Sequence, residues 1–504
     1  MWSAARSTTV LAMAVSMIVA VGQGAAQSPG RVAATIPLNE EGPIAPVTTH
    51  HRLDLSDGRQ IQYRATWFEH VLSDSAGLEQ ATISATAYVR EGDGAGGSDR
   101  PIVFLFNGGP GASSSPLHMN GLGPKRLGEP DAGGRRGVVD NQETLLDVAD
   151  LVFIDPVGTG FSRPLRPDGG KAYWSADGDA GAALALMQNW LVRERRLKAP
   201  LYLVGESYGG YRLALMAKEM ADLPVAGLVL ISPALDFGTP PDQEAINALP
   251  SMAVAAWLQH RAEGDQRSSA QVWEEARGFA QGAYASMLQQ GSARSPADGA
   301  RLASQMANML HLPDAMIAES NLRIETQAFL EHVVEGKLLG RLDTRVIVPA
   351  RPKPTSPGRP AAANDPALGL GTSNVIISES IGRYLREELQ VPTARDYFSL
   401  TLDVNFAWDF RPASMRPPFT TNMADNIAGL MEKRPAVRLL VYGGYHDLAT
   451  PILATRYSIT HSLVPLDRVT FAVLEAGHSV FEGASRGPAA AIMHDFIAAG
   501  SRQK

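Results

Sequence analysis

Short, nearly continuous apolar runs alternate with helix-spaced segments along most of the chain, the pattern of an α/β protein whose strands are joined by crossover helices. Gln60 to Trp67 and Ala81 to Arg90 alternate apolar and polar residues like an antiparallel entry pair. Ile102 to Phe106, Leu151 to Asp155, Leu201 to Val204, Leu228 to Ile231, Leu439 to Tyr442 and Thr470 to Leu474 are apolar almost throughout, which suits parallel strands covered on both faces. Ala180 to Arg196 and Tyr211 to Met220 carry helical spacing and read as crossovers. From Phe237 to about Ala394 helical segments replace the alternation, predicting an inserted, mainly helical cap. Inside it Arg351 to Gly371, rich in Pro, Gly and Ala, reads as an exposed loop.

The first residues differ. Arg6 is the one charge, an apolar run extends from Val10 to Val21, and Gly24, Ala25 and Ala26 follow, so 1–26 reads as an export signal cut near Ala26. The run is shorter than a bilayer span, and no stable membrane anchor is expected. The predicted layout is a signal at 1–26, an N-terminal extension at 27–54, an α/β core at 55–236 and 395–504, and the cap at 237–394. The mature protein is expected in a periplasm or outside the cell.

With 45 basic and 52 acidic residues the net charge is −7, which argues against nucleic acid as a partner. No cysteine is present, so disulfides, thiolate nucleophiles and cysteine-held metals are excluded. Any nucleophile must be oxygen or nitrogen.

Leu201-Tyr-Leu-Val-Gly205-Glu206-Ser207-Tyr208-Gly209-Gly210 runs from a buried-type strand through G-x-S-x-G straight into a helix. That is the pattern of a nucleophile elbow: the glycines let strand and helix approach, and the serine stands in a tight turn at a helix N-terminus. A serine needs a base and an orienting acid, each in a loop after a later strand. Gly443-Gly-Tyr-His-Asp447-Leu-Ala-Thr-Pro451 follows one such strand, and Glu475-Ala-Gly-His478 follows another. Asp447 and His478 are the candidates, although aspartates in Gly-rich turns often simply close them. Asp236 is the second choice of acid, while His461, His494, His446 and Asp467 fit the expected positions less well. Asn107-Gly108-Gly109-Pro110-Gly111-Ala112-Ser113-Ser114 follows a buried strand and suits the other half of an oxyanion hole. Nothing here calls for a metal or a cofactor.

Taken together these residues resemble the serine carboxypeptidases, peptidase family S10 of the α/β-hydrolases. The matching motifs are Asn107 to Gly111 with Ser113 and Ser114, Gly123-Pro124, Phe153 to Ser162, Gly205 to Gly210, Gly444 to Asp447 with Pro451, and Gly477-His478. Leu339-Gly-Arg-Leu-Asp-Thr-Arg345 looks like the bacterial branch. The resemblance implies an α/β-hydrolase fold and a Ser207–His478–Asp447 triad working through an acyl-enzyme. It implies an oxyanion hole from the N–H groups of Gly109 and Tyr208, and a grip on the substrate's C-terminal carboxylate by Asn107, Gly108 and a protonated Glu206. Substrates would be peptides or proteins with a free C-terminus. The alternatives are an esterase or acyltransferase on the same machinery, or a catalytically silent binding protein. A homodimer is compatible with the sequence.

Departures from the family pattern are Gly121 where plant and fungal members often carry a second glutamate, Ala112 in place of a cysteine, and Ser479-Val480-Phe481 after His478. The first removes a reason for Glu206 to hold a proton.

Overall fold

A computed structural model describes residues 36–92, 99–131, 136–350, 361–371, 373–410 and 422–501. The export signal at 1–26, the first part of the extension and residues 351–360 of the Pro-rich loop lie outside the described residues. The chain divides into two compact units.

The larger unit comprises Ala33–Leu235, Thr372–Gly443 and Ile459–Lys504. Its frame is a nine-stranded sheet of β1 (Val47–Asp54), β2 (Gln60–Ser73), β3 (Glu79–Arg90), β4 (Ile102–Phe106), β5 (Asp150–Asp155), β6 (Leu201–Glu206), β7 (Val225–Ile231), β8 (Arg438–Gly444) and β9 (Val469–Leu474). The order across the sheet is β1-β2-β3-β5-β4-β6-β7-β8-β9. The first three strands pair antiparallel, β5 is antiparallel to β3, and the pairs from β5 to β8 are parallel. A mostly parallel sheet in this order, with helices in the connections, is the α/β-hydrolase arrangement expected from the sequence.

Each of the apolar runs became a strand for a simple reason. All residues of β4, β5 and β6 are buried, so both faces must be apolar, whereas β2 begins with one face open and alternates. Helix α1 (Ala176–Arg193) starts where Ser175 Oγ accepts the Gly178 N–H at 3.3 Å, with Asp177 and Asp179 in its first turn. It buries Leu186, Met187, Trp190 and Leu191, and Trp190 meets Phe104 of β4 edge to face.

Three boundaries differ from the sequence layout, one of them at Gly444–Ser458, assigned to the core but found in the smaller unit. Val47–Asp54, assigned to the extension, pairs residue by residue with β2 and forms the sheet edge. Its Thr-Thr-His-His core is polar because that edge is only half covered. Residues 373–394, assigned to the cap, lie in the larger unit, because Ile381, Tyr384, Leu385, Leu389 and Val391 join its hydrophobic core. Helical periodicity reports an apolar face, not which core that face enters.

The smaller unit contains Asp236–Gly371 and Gly444–Ser458. It is mainly helical: Pro241–His260, Ser269–Phe279, Ala285–Gln290, Pro296–Leu310, Asp314–Glu319 and Thr326–His332, with a short hairpin of Lys337–Leu339 and Ile347–Pro349. Ser268 and Gln271 form a reciprocal capping box. Of the loop predicted to be exposed, the described part packs inward, with Ala363, Asp365 and Leu370 buried. Among the described residues no helix is long and apolar enough to cross a membrane.

Candidate active site

Parallel register decides what meets at the carboxyl edge of the sheet. Phe106 pairs with Gly205, and Glu206 with Ile231, so the segments following β4, β6 and β7 emerge side by side. Loops at that edge are where open α/β sheets place their ligands.

Ser207 stands between β6 and α2 (Tyr208–Met216) at φ 60° and ψ −125°, a left-handed conformation costly for a residue with a side chain. Main-chain bonds hold it there: its N–H donates to Ile231 O at 2.9 Å, and its carbonyl accepts from Gly210 N at 2.9 Å and Ala234 N at 3.1 Å. The turn closes only without side chains, since a Cβ on Gly205 would strike the Gly209 carbonyl and one on Gly209 would lie 2.8 Å from Phe106 O. Ser207 is partly exposed, whereas its neighbours Gly205, Glu206, Tyr208 and Gly209 are buried.

The Gly-rich loop packs against the same turn. A Cβ on Gly108 would run into Tyr208 N, and would lie 2.8 Å from Glu206 O and Gly209 N. Among the described residues, neither the Gly109 nor the Tyr208 N–H donates to another protein group. Asn107 is oriented on three sides. Its Nδ2 donates to Glu206 Oε1 at 2.8 Å, its Oδ1 accepts from Leu117 N at 3.3 Å, and its carbonyl accepts from Arg212 Nη1 at 2.6 Å. Asn107, Gly108, Gly109, Glu206, Ser207 and Tyr208 are thus brought together.

His478 follows β9, half-buried, and its carbonyl accepts a hydrogen bond from Ser232 Oγ at 2.7 Å. Ser232 comes directly after Ile231, the residue that anchors Ser207, and its own N–H donates to Tyr442 O at 3.0 Å. Of the competing histidines in this unit, His461 is exposed, and His494 faces Asp147 at 3.2 Å on the C-terminal helix.

Asp447 lies in the smaller unit and is fully buried. Its Oδ1 accepts from Ala449 N at 2.8 Å and Thr450 N at 3.1 Å, and its Oδ2 from Thr450 Oγ1 at 2.8 Å. These bonds close the turn and also fix the carboxylate. The second-choice acid, Asp236, accepts from Gly238 N at 2.8 Å in an exposed turn. A neighbouring carboxyl, Glu244, is pushed up to about 7 by burial and by the charge of Asp236.

The supports beneath the loop are not visible in the sequence. Arg212 of α2 pairs with Asp179 of α1 at 2.5 Å, both buried, and this pair presents Nη1 to Asn107. Burial raises the Asp179 carboxyl from its ordinary value, opposed by Arg212. Asp155, at the end of β5, accepts from Ser114 N at 2.8 Å and Ser114 Oγ at 2.7 Å. Burial pushes Asp155 up, while the bonds from Ser114 and Tyr397 pull it down. The one available signal was a charged residue inside an otherwise apolar segment.

The two departures at Gly121 and Phe481 prove to be one packing fact. A Cβ on Gly121 would lie 2.7 Å from Phe481 Cβ and 3.0 Å from its Cγ. The buried Phe481 ring occupies the space a longer side chain at 121 would need.

Comparison with known proteins gives one family match, to the serine carboxypeptidases, over residues 91–224. That stretch holds Asn107, Gly108, Gly109, Glu206, Ser207 and Tyr208, whereas Asp447 and His478 lie beyond it. Serine carboxypeptidase-like 36 of Arabidopsis thaliana is 34% identical over 127 residues, 24% of this chain and 24% of that protein. Pheromone-processing carboxypeptidase KEX1 of Ogataea parapolymorpha is 29% identical over 171 residues, 31% of this chain and 25% of that protein. The matched stretches span about a quarter of these relatives' own length. The crystal structure of VinJ aligns at a TM-score of 0.38 and 16% identity, over 86% of this chain and 98% of that one; the fold assignment rests on the sheet order.

Proposed function

We propose that this chain, whose residues 91–224 match the serine carboxypeptidase family, hydrolyses the C-terminal peptide bond of peptides and proteins as a serine-type carboxypeptidase. Ser207 Oγ attacks the scissile carbonyl carbon while His478 takes its proton, and the oxyanion that forms is met by the N–H groups of Gly109 and Tyr208. The C–N bond then breaks, His478 returns the proton to the leaving amine, and the acyl group stays on Ser207. Water, deprotonated by His478, attacks the ester and frees Ser207. Asp447 orients His478 and stabilises its charged form.

The observation that carries the reading is the seat of Ser207, a partly exposed serine at φ 60° on a helix N-terminus beside two N–H groups that donate to no protein group among the described residues. Asn107 and Glu206, bonded to each other at 2.8 Å, support the carboxylate grip together with the Gly108 N–H. A protonated Glu206 donates to a substrate carboxylate, and an ionised one repels it. Glu206→Gln, which donates at any pH, therefore keeps peptidase activity and moves its optimum toward neutral pH. An unchanged profile would remove the role. Export through the 1–26 segment belongs to the same proposal.

The test is covalent labelling by a fluorophosphonate, lost in Ser207→Ala and His478→Ala. Folded wild type that takes no label would refute an active serine.

A further inference from the structure

The Leu339–Arg345 segment plays no part in the reaction just described, yet it is built against the loop that carries Asp447. Within the smaller unit, Leu448 N donates to Arg341 O at 2.9 Å and Thr344 N donates to His446 O at 3.1 Å. Asp447 thus sits between two main-chain bonds to one turn. Thr344 Oγ1 adds a contact to His446 Nδ1 at 3.3 Å, and both residues are fully buried. The turn is held in its own right. Asp365 Oδ2 accepts from Arg341 N at 3.1 Å and Leu342 N at 2.9 Å, its Oδ1 accepts from Ala367 N at 2.9 Å, and Gly340 N reaches Val346 O at 2.8 Å.

The side chain of Arg341 adds charge to this mount. Burial lowers its pKa from the ordinary value, and the carboxylates of Asp365 and Asp447 oppose that shift, so the guanidinium lies within the field of both. Besides His478, which the proposed triad places on Asp447, the charged and titratable groups of these segments have partners of their own. His446 faces Thr344, Arg345 pairs with Asp343 at 2.7 Å, and Arg456 on the following helix answers to Glu274, Arg277 and Tyr445.

We infer that the 340–344 turn is the mount of the acid loop, and that Arg341, whose carbonyl takes the Leu448 N–H, is a positioning residue whose charge offsets that of Asp447. The inference rests on Asp447 being the acid of the triad. Removing the positive charge makes a neighbouring carboxylate easier to protonate, so the acidic limb of activity must move to higher pH.

The experiment measures kcat and KM of the full chain on a free-acid peptide across pH, with melting temperatures, for Arg341→Met, Arg341→Lys, Thr344→Val and Asp447→Asn. Arg341→Met should lower kcat about tenfold or more with little change in KM, and raise the acidic limb of kcat/KM by about half a pH unit or more. Arg341→Lys should restore the limb and most of kcat, and Thr344→Val should lower kcat a few fold at unchanged KM. Wild-type kcat and limb in Arg341→Met, beside a large loss in Asp447→Asn, overturn the mount and leave the triad standing. Wild-type kcat in Asp447→Asn removes the triad assignment itself. Should Arg341→Met fail to fold, Thr344→Val decides: a lower kcat at constant KM and melting temperature supports the mount, and a wild-type kcat overturns it.

Discussion

The seat of Ser207 is made almost wholly of main chain, while that of Asp447 draws on side chains from a segment far upstream. At Ser207 the contacts are N–H and C=O groups of Ile231, Gly210 and Ala234, and the packing works because Gly205, Gly108 and Gly209 present no Cβ. At Asp447 the contacts are the Thr450 hydroxyl and two N–H groups, backed by a turn that Asp365 pins through its carboxylate. A seat built on missing side chains is broken by adding an atom. A seat built on polar groups is broken by removing one.

The largest effect expected from this contrast is at Gly108. The Cβ of Gly108→Ala enters the space of Tyr208 N, so the two N–H groups proposed as oxyanion donors move apart, and kcat/KM should fall about a hundredfold or more at unchanged melting temperature of the smaller unit. Activity within a few fold of wild type would break the contrast.

Next comes a polar support on the Ser207 side. Arg212→Met leaves Asp179 buried without its partner and should cost about 3–5 kcal/mol by denaturant unfolding. Adding Asp179→Leu should recover part of that loss, because the stranded charge is gone; no recovery would show that the Asn107 contact, not the charge pair, dominates.

Gly121→Glu is expected to cost roughly 1–3 kcal/mol through its clash with Phe481, and Phe481→Ala in the same chain to relieve it. Independent effects of the two substitutions would mean the clash is avoided by movement of the turn.

The last effect is absent at neutral pH and confined to acid solution. Burial lowers His118, in the turn that follows the Gly-rich loop, to about 3. Between that value and the ordinary 6.5 the unfolded chain binds the extra proton, so stability is full above about pH 6.5 and falls toward pH 3, with a limiting slope of about 1.4 kcal/mol per pH unit. His118→Phe should flatten that slope, measured by unfolding at several pH values. An unchanged slope would assign the acid sensitivity to other groups.

The contrast also explains what could be read from the chain. The elbow was legible because two glycines at fixed spacing around a serine encode its sterics locally. The parallel strands were legible because burial on both faces demands unbroken apolar runs, as in Leu201–Glu206. The Asp179–Arg212 pair was not, since nothing local distinguishes a buried ion pair from two solvated charges on helix surfaces. Nor was the contact between Gly121 and Phe481, because volume complementarity between distant segments leaves no local trace. The strand Val47–Asp54 was hidden for a third reason: an edge strand with one open face carries too few apolar residues to show its period.

Steady-state hydrolysis of one peptide and of its C-terminally amidated twin, with Ser207→Ala as the blank, tests most directly whether this is a carboxylate-reading peptidase. An enzyme that grips the terminal carboxylate through Asn107, Gly108 and Glu206 cleaves the free acid about a hundredfold faster. Equal rates on the two peptides would contradict that grip and turn the chain toward an esterase or acyltransferase on the same serine.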